Sequence, residues 1–303
     1  MRNEFIRYLV KLAELDEKIV LVVGDLGYGV VEPFAEKFPD RFFNSGVAEQ
    51  NMMGFAAGLA SEGYHVFVYS IANFPIFRCA EQIRNDVCYH NLPVTVVSVG
   101  GGLAYGNLGY SHHAVQDFSF MRTLPNMSIL APGDPNETKL CLDFITRNRG
   151  PSYLRLGKTG EKNYSNALIL QGDGAFEAIS LNDSSSIAVI STGAALQNVQ
   201  RMVYELNLTN IDLFSCPIWG IDMKKNVSRS LNKYIKIITV EDHLIDGGFG
   251  SWILEALEQC TRSKLTILGL DRNVCGEVGS QEFLNELGGI NSKNFLEAID
   301  RVI

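Results

Sequence analysis

The sequence has no CxxC pair and no Cys/His cluster. Its six cysteines, Cys79, Cys88, Cys141, Cys216, Cys260 and Cys275, stand at wide and irregular spacing. That argues against a disulfide framework and a zinc finger, and it suits free thiols in a reducing compartment. No apolar run approaches the roughly 18 residues needed to cross a bilayer. The opening stretch MRNEFIRYLVKLAELDEKIV lacks an apolar core between a basic start and a cleavage site. It reads as an amphipathic helix, not a secretion signal, so a cytoplasmic location is expected. Basic charge is not in excess either: 26 Lys and Arg face 34 Asp and Glu, a formal net charge of -8. A nucleic-acid surface and an anionic membrane surface would each want a basic face, so neither is expected. There is no short-period repeat and no low-complexity tract.

What the chain does have is length and a regular alternation. At 303 residues it suits about two domains and buries a real core. Short continuous apolar runs, Ile19 to Val23, His65 to Tyr69, Pro93 to Val99, Met127 to Leu130 and Ser152 to Leu156, alternate with helical patterns. The helical stretches are Val47 to Ser61, Ile76 to His90, Val115 to Thr123 and Pro135 to Arg147. Runs that are apolar throughout are those of strands covered on both faces, so a mainly parallel sheet with helices on either side is expected. A second series, Ile187 to Ile190, Ile211 to Phe214, Ile235 to Val240 and Leu265 to Leu268, follows polar stretches at Lys158 to Asn166 and Asn182 to Ser186. The expectation is an α/β protein of two doubly wound domains, 1–157 and 186–303, joined by a connecting segment, 158–185.

In doubly wound sheets ligands bind past the carboxyl ends of the strands, so the loops there hold the candidate residues. The first is Gly24-Asp25-Leu26-Gly27-Tyr28-Gly29. The second, Asn44 to Gly54, reads as a turn feeding a helix, with Glu49 in the first turn where the dipole favours a carboxylate. Small and apolar residues follow, so the helix is expected to be buried and Glu49 to need a partner there; a plain capping carboxylate would fit the same position. The third loop puts Phe74 just beyond a strand, where it is either core or a ligand-facing ring. The fourth carries His112 and His113 between glycines and apolar residues, a pairing suited to proton transfer near neutral pH. Adjacent histidines point apart, so metal ligation is not expected.

Taken together, NSGVAEQNMMGFAAGLASEG, FPIFRCAEQIRNDVCYHNLPV, GYSHHAVQDFSFMRTLPNMSILAPGDPNET and GPSYLRLGK resemble, in order and spacing, the pyrimidine-binding domain of transketolases. A weaker likeness runs through VEDHLIDGGFGSWILEAL into that family's C-terminal domain. The resemblance implies thiamine diphosphate as cofactor. It implies that Glu49 hydrogen-bonds N1' of the aminopyrimidine and that Phe74 stacks on that ring. Asp25 and Arg78 are grouped with the cofactor-binding residues. His112 is implied as an acid or base facing substrate oxygens, with His113 beside it, and Arg155 as a holder of substrate phosphate.

In this family the diphosphate and its Mg²⁺ are held by a Gly-Asp-Gly motif and a later asparagine in a separate domain. The Gly172-Asp173-Gly174 of this chain lies in the connecting segment without that context and reads as a turn. The resemblance therefore implies a split transketolase: a partner chain, an N-terminal subunit, holds diphosphate and Mg²⁺, and two copies of each chain form a heterotetramer around a homodimer of this one. The implied reaction transfers a two-carbon ketol unit from a ketose, expected to be phosphorylated, to an aldehyde. Two positions depart from the family: Leu108 stands where an aspartate reads a sugar hydroxyl, and Gly100 where a further histidine stands. Both make the substrate pocket less polar. A deoxyxylulose-phosphate-synthase-like enzyme, the beta subunit of a 2-oxoacid dehydrogenase, and a non-catalytic assembly subunit are the alternatives.

Overall fold

The computed structural model describes residues 1–158, 160–165 and 176–300. Gly172-Asp173-Gly174 lies outside the described residues. The apolar runs of the first half form β1 (Ile19–Val23), β2 (Phe42–Asn44), β3 (His65–Ile71), β4 (Val94–Val99), β5 (Ser128–Leu130) and β6 (Ser152–Leu156). Every residue of β1, β4 and β6 is buried, as strands covered on both faces must be. The second half supplies β7 (Glu177–Ser180), β8 (Ile187–Ser191), β9 (Asp212–Ser215), β10 (Ile218–Gly220), β11 (Lys236–Leu244) and β12 (Leu265–Leu270). Two sheets result, in the orders β10-β5-β6-β4-β3-β1-β2 and β12-β11-β8-β9-β7. Pairing is parallel except for β10 on β5 and β7 on β9. This is the mixed α/β architecture with two mainly parallel sheets that the alternation implies.

The two halves are more closely joined than a linker alone would make them. β10 belongs by sequence to the second series, yet it closes the edge of the first sheet, with Ile218 opposite Leu130. β7 lies inside the stretch expected to be a connecting segment. At the join, Trp219 is fully buried and packs against Phe118, Phe249 and Trp252, and its indole donates to Thr192 Oγ1 at 3.1 Å.

The helices show why the site takes its shape. Pro135–Arg147 forms as the pattern implies, with Asp134 accepting from the Glu137 amide at its start at 2.8 Å, a standard N-cap. The expected helix from Ile76 to His90 is broken instead. A turn at Phe74–Phe77 is followed by Ala80–Gln82 and then by a π-turn, Ile83–Cys88, that sinks Ile83, Val87 and Cys88 into the core. The Glu49–Ser61 helix buries Met52, Met53, Ala56, Ala57 and Ala60. Its opposite face, with Asn51, Gly54, Phe55 and Gly58, is exposed, so the helix is buried on one side only within this chain. Among the described residues no helix is long and apolar enough to cross a membrane.

Candidate active site

β1, β3 and β4 are parallel neighbours, so their carboxyl ends open on one edge of the first sheet, and the loops named above converge there. Glu49 is the first residue of its helix and only 4% exposed. Its Oε1 accepts from Arg78 Nη1 at 2.7 Å. The Arg78 guanidinium also lies over the Phe74 ring, 4.3 Å from Cζ to the ring centre. Phe74 in turn meets His112 edge-on, with 5.3 Å between ring centres and 71° between planes. Carboxylate, guanidinium, aromatic face and imidazole therefore form one contiguous array. Two cavities border it. One, of about 510 Å³, is lined by Phe74, Phe77, Tyr110, His113 and Gln116 among others. The second, of about 490 Å³, lies against Val47 to Asn51 and includes Glu49. Arg78 lines both.

The histidine loop is held by a residue that sequence reasoning missed. Asn73 donates its side-chain amide to the main-chain carbonyls of Ser111 at 3.2 Å and His113 at 2.8 Å, bracketing His112. Nothing in the sequence marked it beyond its place directly before Phe74. The His112 Nδ1 meets Ser111 Oγ at 3.0 Å. Burial, the neighbouring His113 and the Arg78 charge, in that order, lower the His112 pKa below its ordinary value. His113 is buried, with its Nε2 3.3 Å from the Gly106 carbonyl.

Asp25 sits at the end of β1 with φ of +56°, in the left-handed region that few residues but Gly, Asn and Asp tolerate. Its carboxylate accepts from Asn44 Nδ2 at 3.0 Å and from the Tyr28 hydroxyl at 2.9 Å, and these bonds lower its pKa. Asn44 also accepts from Asp25 N and Gly46 N, which ties Asp25 to the turn leading into Glu49.

Arg155 departs from the role that the resemblance implied. It is 2% exposed. Its Nε donates to Asp117 at 2.7 Å, its Nη1 to Asp242, and its Nη2 to the carbonyls of Ala114 and Asp242. A guanidinium so enclosed joins β6, the segment after the histidine loop and β11, and is not presented to a substrate phosphate. Gly100 also has a structural counterpart: a Cβ there would lie 2.0 Å from the Tyr105 ring, and that ring stands 6.4 Å from His112. Tyr105 thus fills the space at that position. Leu108 is half exposed. Among the described residues no group of three or more His, Cys, Asp or Glu side chains is placed to hold a metal ion.

The chain is similar to known proteins along most of its length. The family model described as "Transketolase, pyrimidine binding domain" matches residues 1–161. A Methanocaldococcus jannaschii protein provisionally named a transketolase C-terminal section is 33% identical over 99% of this chain and 95% of its own length. One of the subunits of an apulose-4-phosphate transketolase, from Phocaeicola vulgatus, is 32% identical over 90% of this chain and 88% of its own length. A 1-deoxy-D-xylulose-5-phosphate synthase of Clostridium perfringens is 30% identical, and there this chain spans only 46% of the relative. Among solved structures, one described as "Split gene transketolase, inactive beta4 tetramer" superposes with a TM-score of 0.83 at 27% identity, covering 98% of this chain and 96% of that one. Campylobacter jejuni transketolase shares the fold, with a TM-score of 0.77 at 14% identity over 98% of this chain and 46% of that one. The chain belongs to the transketolase family of thiamine-diphosphate enzymes, and it corresponds to the family's pyrimidine-binding domain followed by its C-terminal domain.

Proposed function

We propose that this chain is the pyrimidine-binding subunit of a two-chain transketolase that moves a two-carbon ketol unit from a ketose phosphate to an aldehyde. The observation that carries this reading is the contiguous contact of Glu49, Arg78, Phe74 and His112 beside the two cavities that Arg78 borders. The residues fit the aminopyrimidine end of thiamine diphosphate, because a planar group with donors along its edge, the Arg78 guanidinium, already lies on Phe74 and bonds Glu49. The cofactor, when bound, supplies a nucleophilic carbon and an electron sink. Glu49 would hold ring nitrogen N1' by sharing a proton with it, and its burial would strengthen that bond by lowering the local dielectric. His112, whose pKa burial lowers, takes or returns a proton at substrate oxygens. Asn73 holds it in place.

Diphosphate and Mg²⁺ fall to a partner subunit bearing a Gly-Asp-Gly motif, in an assembly of two copies of each chain. The names of three relatives support this: a C-terminal section, a subunit of a transketolase, and a split-gene transketolase described as an inactive beta4 tetramer. Leu108, exposed in the loop that leads to His112, cannot accept a hydrogen bond from a sugar hydroxyl as an aspartate would, so a deoxygenated or branched sugar phosphate is favoured over xylulose 5-phosphate. The P. vulgatus relative is named for apulose 4-phosphate. The synthase relatives favour a second reading, a deoxyxylulose-type condensation. Product analysis on the two-chain complex separates them, since ketol transfer releases no carbon dioxide and the condensation does. In the same assay Glu49→Gln lowers turnover by more than tenfold, that is by more than about 1.4 kcal/mol of barrier, with circular dichroism unchanged. An active Glu49→Gln enzyme would overturn the assignment.

A further inference from the structure

We infer that Arg78 is a placeholder for the cofactor ring: its guanidinium fills the slot between Glu49 and Phe74, and cofactor binding begins by displacing it. The inference rests on the cofactor reading above and departs from the sequence-based expectation that Arg78 is a cofactor ligand. The slot asks for a flat group that offers a donor edge to a buried carboxylate and a face to an aromatic ring. Arg78 meets both demands at once, at 2.7 Å from Glu49 and 4.3 Å from the Phe74 ring centre. While the guanidinium bonds Oε1 and lies over the Phe74 ring, a cofactor ring entering on that side has to share the carboxylate with it and find that ring face covered. A planar ligand that seeks the same carboxylate edge and the same ring face therefore competes with Arg78 for them.

Three further features suit a movable plug. A carboxylate as buried as Glu49 needs a partner whenever the ring is absent, and Arg78 provides one. The Arg78 side chain is 49% exposed, and among the described residues its only hydrogen bond is to Glu49, so it can swing into solvent without breaking other structure. Arg78 also stands at the border of the two cavities, so its departure joins the side holding Glu49 to the side holding Phe77, Tyr110 and His113.

The test is ligand-observed NMR and calorimetry with thiamine, which lacks the diphosphate, on the full chain. Wild type, Arg78→Ala and the double variant Arg78→Ala/Glu49→Ala are compared, with circular dichroism as the folding control. A plug predicts that Arg78→Ala binds thiamine at least fivefold more tightly than wild type, and that the double variant loses the gain. Binding by Arg78→Ala that is weaker than, or equal to, that of wild type, including none by either, overturns the inference and leaves Arg78 a ligand or a bystander. Equal gain in the single and double variants places the ring away from Glu49, and then it is the cofactor reading that fails. Arg78→Lys, which keeps the charge without the planar group, should fall between wild type and Arg78→Ala.

Discussion

Asn73 spends both protons of its amide on the main chain either side of His112, at 3.2 and 2.8 Å. Each such bond is worth roughly 0.5–1.5 kcal/mol net, so Asn73→Ala should loosen the histidine loop rather than unfold the domain. We expect kcat to fall about tenfold with little change in the cofactor's Kd. Asn73→Asp should be worse, because it aims a carboxylate at two carbonyl oxygens. The pH profile distinguishes positioning from mere destabilisation. Burial is the largest cause lowering the His112 pKa, so the neutral, proton-accepting form persists below the ordinary histidine value of about 6.5, and the acid limb of kcat/KM lies on that side. A loosened, better hydrated imidazole moves the limb up toward 6.5. An unchanged limb and unchanged kcat in Asn73→Ala would exclude the clamp. This residue was not legible beforehand because it acts on main-chain acceptors 38 and 40 positions away, which leave no mark in side-chain pattern. Glu49, Phe74 and His112 were singled out because each stands in a strand-end loop that carries its own motif.

Arg155 shows how one side chain ties elements together. It lies on β6 and reaches Asp117, at the start of a short helix after the histidine loop, and Asp242 on β11. Removing one member of a buried ion network strands the others, at a cost of roughly 3–5 kcal/mol. Arg155→Ala should therefore lower the denaturant midpoint markedly and blur the contact between the two sheets. Loss of substrate affinity at unchanged stability would instead restore the phosphate-binding role implied by the family. A basic residue on a strand reads the same in sequence whether it faces a ligand or two carboxylates supplied from 38 and 87 positions away. Elements divide along the same line. Continuous apolar runs such as Ile19–Val23 and Ser152–Leu156 were legible because burial on both faces demands them. β2, β7 and β10 have only three or four residues each, and each lies at the end of its sheet against a single neighbouring strand. The stretch expected as one helix, Ile76 to His90, is helical in two pieces, with a break at Arg78 and Cys79 and a π-helical end over Ile83–Cys88.

At the scale of the whole molecule, the proposed function gives the described chain one end of a cofactor site. Glu49 and Phe74 suit the pyrimidine, but the diphosphate carries most of the ligand's charge, and its Mg²⁺ requires oxygen ligands set octahedrally. Among the described residues no side-chain cluster meets that need. Contact with the pyrimidine alone is small against the entropic cost of association, and Arg78 competes for it. The outer face of the Glu49–Ser61 helix adds a second sign of incompleteness. At Gly54 and Gly58 an added Cβ would meet no atom within 4 Å, and Phe55 is 38% exposed. Small residues beside an exposed ring let another helix approach closely, and a twofold assembly would cover them. We therefore expect the chain alone to turn over no substrate and to bind thiamine diphosphate with Mg²⁺ only weakly. Adding an N-terminal subunit with the Gly-Asp-Gly motif should restore both together, with one cofactor for each pair of chains. Calorimetry on the separate and mixed chains, followed by a ketol-transfer assay, measures this directly. Micromolar binding and turnover by this chain by itself would refute the two-chain reading, whereas binding that appears only on mixing, at that stoichiometry, is what the divided site requires.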